Sequence, residues 1–379
     1  MRICLLILAF FVLNQLTFSQ PLQHHILLAT SKDGLTFERK NRIIVNSGDV
    51  PDAVVGTNGK IYLYFQGLWT PTIDGIMVGI SSDGLYNWEF HKVNIFGTES
   101  WFGRPCDPDV VFFKDTFRLY FTGDPINDKN PETYSAISTD GINFVLEKGI
   151  RFQVPGNSVL DPSVLWTGKT LQFFAGGAPQ GKNWHAHSND GINFVKLEDF
   201  SIDGLMMANG IEVPNGYRFY CFKNLQQKDI FSIFSTNGDN WELESGNRLA
   251  YDGTCELESK YVKDPAIVRK DNLYIMYYVT RKPNVNSIEN SNENNNKINI
   301  YPNPATYSSF LTLANDGPQK VLIDIFDTYG KYIDTIHNGY LPVGNISFEI
   351  NTQNFANGFY LIKVKSATKS FECWLVVLR

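Results

Sequence analysis

One short motif recurs five times along this chain, and its spacing constrains the fold more than any other feature. It reads Ser31-Lys32-Asp33-Gly34 with Phe37, Ser81-Ser82-Asp83-Gly84 with Trp88, Ser138-Thr139-Asp140-Gly141 with Phe144, Ser188-Asn189-Asp190-Gly191 with Phe194, and Ser235-Thr236-Asn237-Gly238 with Trp241. Successive serines lie 50, 57, 50 and 47 residues apart, a period the size of one propeller blade. Asp-Gly and Asn-Gly make tight hairpin turns because both residues tolerate positive φ. The aromatic after each turn is expected to pack between neighbouring sheets, so the motif is read as structural.

A second signal sits between the turns. An acidic residue opens a short apolar strand, and a Tyr/Phe-rich strand follows. The openings are Pro51-Asp52, Asp107-Pro108-Asp109, Asp161-Pro162, Ile211-Glu212 and Asp264-Pro265. Each opening plus the next turn motif makes four strands, which is one blade. The last opening has no turn motif after it, and the first turn motif has no acidic strand before it. The expected fold is therefore all-β: a five-bladed β-propeller over residues 21–282, with an N-terminal hairpin closing the last blade so that no sheet edge is left open.

Both flanks carry separate signals. Residues 1–20 read as a signal peptide, with Arg2 before an apolar stretch at 3–13 that is too short to span a bilayer. No later stretch is apolar enough for a transmembrane segment. Residues 283–297 form an Asn-rich linker, and β-patterning returns over 298–379 as a small C-terminal Ig-like β-sandwich. Four cysteines follow the leader, without metal spacing. Cys106 and Cys255 each precede a blade-opening Asp-Pro, so they could pair; separate buried thiols are the alternative. The formal net charge of −6 and the lack of a basic patch exclude a nucleic-acid surface.

The tail resembles the type A C-terminal sorting domain of the bacterial type IX secretion system. The resemblance rests on Tyr301-Pro302-Asn303-Pro304, Asp327-Thr328-Tyr329-Gly330-Lys331 and Gly358-Phe359-Tyr360. It implies engagement of the type IX machinery, passage through the periplasm and outer membrane of a Gram-negative bacterium, and a secreted or cell-surface location.

First strands line a propeller's channel, so their acidic openings are expected to converge at one mouth. Glycoside hydrolysis needs two carboxylates about the scissile bond, one protonated and one ionised. The layout over 24–280 resembles the five-bladed glycoside hydrolases of family 43. That resemblance implies Asp52 as general base, Asp161 as the carboxylate that tunes the acid, and Glu212 as general acid, with Gly210-Ile211-Glu212-Val213 standing where the family carries Glu-Gly-Pro. Asp107 and Asp264 are read as structural caps. Asp109, Trp69, Trp101, Arg104 and Trp184 are candidate carbohydrate contacts, since aromatic faces stack on sugars and guanidinium groups bind hydroxyls. His185 and His187 share one strand face, but no third ligand accompanies them, so neither metal nor cofactor is expected. The turn motif also resembles the Asp-box of sialidases, with altered spacing, and no sialidase activity is inferred from it. The alternative to a glycosidase is a catalytically inactive propeller that binds glycan or protein.

Overall fold

The computed structural model describes residues 24–45, 47–67, 75–98, 104–123, 130–223, 228–281, 298–315, 318–342, 344–366 and 370–379. The leader at 1–20, the linker at 283–297, Trp69 and Trp101 lie outside these residues. The described residues form strands and no α-helix, and among them no helix is long and apolar enough to cross a membrane.

Residues 24–281 build five antiparallel sheets. The first holds Gly48–Val55, Ile61–Gly67, Ile76–Ser81 and Glu89–Lys92, and the second Cys106–Phe113, Thr116–Thr122, Thr133–Ser138 and Asn143–Leu146, with Asn94–Phe96 added in parallel at its outer edge. The third holds Leu160–Trp166, Leu171–Gly176, Trp184–Ser188 and Val195–Lys196. The fourth holds Met206–Val213, Gly216–Phe222, Asp229–Ser235 and Glu242–Leu243. The fifth joins both ends of this region: Ser259–Lys270 and Leu273–Arg281 pair with His24–Ser31 and Glu38–Val45. The N-terminal hairpin thus completes the last sheet. The first strand of each sheet touches those of its two neighbours, the fifth touching the first.

Strand alternation explains the packing. Successive side chains point to opposite faces, so each second strand feeds two cores. Ile61, Leu63 and Phe65 pack towards Ile275 and Tyr277 of the fifth sheet, whereas Tyr62 and Tyr64 pack towards Phe117 and Leu119 of the second. Equivalent cores join the second to the third, the third to the fourth and the fourth to the fifth sheet. The five seams close on themselves.

The repeated motif ties these seams. In its first copy Ser31 Oγ accepts the Gly34 N–H (2.9 Å), and Asp33 Oδ1 accepts the N–H groups of Leu35 (2.8 Å) and Thr36 (2.9 Å). The other four copies repeat this pattern. Only the glycine of each motif has positive φ; the Asp or Asn caps the turn with its side chain instead of taking a left-handed backbone, a correction to the expected basis of the turn. The glycine carbonyl then receives a buried tyrosine from the preceding sheet. Tyr64 donates to Gly141 (2.7 Å), Tyr120 to Gly191 (2.9 Å), Tyr220 to Gly34 (2.8 Å) and Tyr277 to Gly84 (2.9 Å). Each tyrosine also meets the motif's aromatic nearly edge-on: Phe144, Phe194, Phe37 and Trp88 respectively. Phe174 takes this place in the third sheet, against Trp241. Tyr64→Phe leaves the Gly141 carbonyl without its donor in a buried seam and is expected to cost about 1–3 kcal/mol in urea unfolding; an unchanged midpoint would show that the hydroxyl carries no seam energy.

The tail has its own core. Ile298–Tyr301, Ser308–Asn315 and Gly344–Asn351 form one sheet, and Tyr332–Leu341, Gln319–Asp327, Gly358–Ser366 and Ser370–Val377 form another. Leu311, Ile323, Ile362 and Leu375 are fully buried in the core they share. Asn303 of the Pro-Asn-Pro motif bonds to both Trp374 O (2.6 Å) and Val376 N (2.7 Å), which pins the final strand.

Candidate active site

Every inner strand carries a one-residue bulge at the same place. It falls between Asp49 and Asp52, Cys106 and Asp109, Leu160 and Ser163, Met207 and Asn209, and Lys263 and Ala266. In four strands a proline follows a residue forced into the left-handed region: Val50 (φ 43°), Asp107 (51°), Asp161 (50°) and Asp264 (43°). Such backbone costs on the order of 1–3 kcal/mol per residue, and it is found where bulges re-aim side chains at functional sites. The register places Met207 at the corresponding position of the fourth strand. At this end of the ring a recess opens, lined in part by Val50, Pro108, Asp161, Met207, Phe222 and Asp264.

Three aspartates therefore share one mouth, with a lysine among them. Burial pushes the Asp161 carboxyl well above the usual range, and repulsion from Asp107 and Asp264 adds to this against the pull of Lys263. Burial also raises Asp107 and Asp264; Lys263 opposes the rise on Asp264. Lys263 is 4% exposed. Its Nζ donates to Asp49 Oδ1 (2.7 Å) and contacts Asp264 Oδ2. Although burial opposes its charge, the two carboxylates keep it an ammonium. Asp49 is held ionised because Lys263 and His24 outweigh its burial. His24 Nδ1 lies 2.6 Å from Asp49 Oδ2, and His24 Nε2 lies 2.5 Å from the Tyr261 hydroxyl.

One step deeper, a second layer stitches the inner strands together. Asp52 Oδ2 accepts Val110 N–H (2.6 Å), Asp109 Oδ2 accepts Val164 N–H (3.0 Å), and Asn209 Oδ1 accepts Ile267 N–H (2.8 Å). Ser163 Oγ donates to Ala208 O (2.8 Å), and Asn209 Nδ2 reaches Asp52 Oδ1 (2.6 Å). Asp52 and Asp109 are 2% and 3% exposed. Both clasp neighbouring strands, and neither Asp52, expected as base, nor Asp109, expected as a sugar contact, lines the recess.

The remaining candidates divide. Asp161 is at the mouth. Glu212 lies at the opposite end of Met206–Val213, exposed and paired in register with Tyr217. That is about 20 Å of extended chain from Met206, so the expected convergence of Asp52, Asp161 and Glu212 does not occur. Trp184 is buried, with its Nε1 donating to Ser158 O (3.0 Å), and offers no face to a ligand. Arg104 is exposed just before the second sheet's inner strand. His185 stacks on Phe174 (4.6 Å between ring centres), and burial pushes it down to about 4. No cluster of metal-holding side chains occurs among the described residues, and Cys106, Cys221, Cys255 and Cys373 are unbridged thiols, so the pairing of Cys106 with Cys255 is not formed. Sequence reasoning read Asp107 and Asp264 as structural caps and passed over Lys263, Asp49 and His24. The available signal was the dipeptide with proline second: aligning Val50-Pro51 with the three Asp-Pro pairs puts Val50, and not Asp52, at the mouth.

Burial raises Asp52 to about 7, against the hydrogen bonds that favour its ionised form. A carboxyl raised in the folded state contributes stability that is fully present below its unfolded pKa and is lost as pH rises through the folded one, by at most about 1.4 kcal/mol per pH unit. Thermal unfolding from pH 4 to 8 is expected to show this decline in the wild type and a flatter profile in Asp52→Asn, at a generally lower Tm. Parallel profiles would show that Asp52 keeps an ordinary pKa.

Residues 299–377 match the family model of the secretion system C-terminal sorting domain. The match indicates export. No curated protein matches the chain. Among solved structures, the chain is similar to an alpha-L-arabinofuranosidase from Clostridium thermocellum, with 16% identity, 79% of this chain and 95% of that chain covered, and a TM-score of 0.48. It is similar to a family 117 glycoside hydrolase from Zobellia galactanivorans, with 14% identity, 68% and 91% covered, and a TM-score of 0.46. It is also similar to an exo-beta-1,3-galactanase from Phanerochaete chrysosporium, with 11% identity, 93% and 98% covered, and a TM-score of 0.46.

Proposed function

We propose that the chain is an exported glycosidase: a five-bladed β-propeller whose acidic mouth cleaves glycosidic bonds, carried by a leader peptide and an Ig-like type IX sorting tail. The observation that carries this reading is the convergence of Asp161 and Asp264 on one recess, with Asp107 beside Asp161 and the Asp161 carboxyl driven towards its protonated form by burial and by its acidic neighbours. Carboxyls whose surroundings push their proton affinities apart are what acid–base cleavage of a glycoside needs. In this reading Asp161 gives its proton to the departing glycosidic oxygen as the C–O bond breaks. Asp264, beside Lys263, takes the proton from the water that attacks the anomeric carbon. The five closed seams and the hairpin shared with the last sheet support the propeller.

A second reading has its own support. The mouth positions of the first and fourth strands are Val50 and Met207, the two sheets on which the family 43 resemblance expects base and acid. A propeller that binds glycan without cutting it would fit that pattern. Incubation of the mature protein with arabinan, xylan and galactan separates the two. Cleavage predicts new reducing ends, retained in Glu212→Gln. Oligosaccharide binding by calorimetry with no reducing ends would support the binding protein instead, and neither signal would overturn both.

A further inference from the structure

The cation at the mouth is unusual in its surroundings. Lys263 is buried on the inner strand of the fifth sheet, and its Nζ lies between two carboxylates, Asp49 Oδ1 at 2.7 Å and Asp264 Oδ2 in direct contact. Asp49 is in turn held on its other oxygen by His24 Nδ1 at 2.6 Å, and His24 is held by Tyr261. A line of contacts thus runs Tyr261–His24–Asp49–Lys263–Asp264 and ends at the mouth. It draws on three strands, and one of them, His24–Ser31, is the N-terminal strand that closes the ring.

A lone buried lysine would serve no carboxyl in particular; a braced one does. Asp49 and His24 fix where the ammonium sits, and it sits on Asp264 and not on Asp161. The groups facing Asp264 are Lys263, Asp49, His24, Tyr261 and Asp161; those facing Asp161 are Asp107, Asp264, Lys263 and Asp49. The two carboxyls therefore share one crowded acidic mouth, but only one has a cation at hydrogen-bond distance. We propose that Lys263, braced by Asp49 and His24, is a positioning residue that makes Asp264 the ionised carboxylate of the mouth and leaves the shared proton on Asp161. The causes of the two shifts agree with this geometry: burial raises both carboxyls, and Lys263 opposes the rise by charge and by hydrogen bond on Asp264 but by charge alone on Asp161. This assignment rests on the glycosidase reading for its purpose but not for its measurement.

The test is carboxyl-carbon NMR titration of the full chain, with Asp161 and Asp264 assigned by substitution. The wild type is expected to titrate Asp264 below Asp161. Lys263→Met removes the charge and keeps the length; Asp264 should rise by about one pH unit or more, the size of a contact ion pair's effect on a carboxyl, and Lys263→Arg should restore it. Asp49→Asn removes the negative charge that raises Asp264 but keeps an oxygen that can accept from Lys263 and hold it in place, so Asp264 should fall, the opposite sign. Since loss of one partner of a buried pair can prevent folding, Asp49→Asn and Lys263→Arg keep the test available if Lys263→Met does not fold. In the enzyme, the acidic limb of the kcat/KM profile should move up with Asp264 in Lys263→Met. An Asp264 midpoint unmoved in Lys263→Met or Asp49→Asn, or lying above Asp161 in the wild type, overturns the proposal. If the wild type cleaves no glycan, the glycosidase reading fails while the NMR midpoints still decide this one.

Discussion

Asp161→Asn is expected to lower kcat on the cleaved polysaccharide by at least about 100-fold, the lower range for loss of a general acid, with KM little changed. Asparagine keeps the shape of the side chain but cannot release a proton to the leaving oxygen. Stability should move the other way. A carboxyl raised in the folded state withdraws stability as pH climbs through its folded value, and Asp161 is raised well above the usual range by burial and by Asp107 and Asp264. The amide removes that penalty, so the Asp161→Asn Tm at pH 8 should equal or exceed that of the wild type. Activity loss with retained or increased Tm marks a group kept for chemistry. Activity loss with a collapsed Tm would mark Asp161 as another clasp, like Asp52.

Deletion of residues 24–45 should have the largest effect on the fold. The strand His24–Ser31 pairs along its whole length with Leu273–Arg281, and Ile26, Leu27, Leu28 and Ala29 are 0–2% exposed. Burial of large aliphatic side chains stabilises by about 1.5–3 kcal/mol each, and the Arg39 Nε–Glu258 Oε1 ion pair (2.6 Å, Glu258 side chain fully buried) is lost as well. The sum is comparable to the entire net stability of an ordinary domain, about 5–15 kcal/mol. Two seams would open together, because Ile26 and Leu28 face the first sheet while Leu27 and Ala29 face the fourth. Calorimetry of the truncated chain is expected to show no cooperative transition for the ring. Leu27→Ala, a milder form of the same change, should cost about 2–5 kcal/mol. A ring transition within a few degrees of the intact chain after deletion would mean that closure does not depend on the hairpin.

The sheets were legible because a repeat of turn and strand signals reports on local structure that neighbouring residues largely determine. Ser31 through Phe37 contains its own hydrogen bonds, and so does each of its four copies. The donation of the hairpin to the fifth sheet was legible by counting. The mouth was harder to read. Asp52 and Asp161 look alike as acidic strand openings, yet the bulge places one inside the clasp layer and the other at the recess. Which residue of Val50-Pro51-Asp52 faces the mouth depends on a left-handed turn at Val50, and a β-branched residue gives no local warning of that conformation. Glu212 misled for a related reason: it sits on the correct strand, but at its far end. Lys263, Asp49 and His24 could not be assembled from spacing, because they come from three strands that meet only when the ring closes. Trp184 carried the composition of a sugar platform, but its strand turns it into the seam beside Phe173.

We place the carbohydrate site at the mouth where Asp161 and Asp264 line the recess, with Asp107 beside Asp161. A crystal structure of Asp161→Asn with an oligosaccharide that the wild type cleaves tests this placement most directly. A glycosidic oxygen is expected within hydrogen-bond reach of residue 161, with Asp264 facing the anomeric carbon. Sugar bound at the opposite end, beside Glu212, would contradict it.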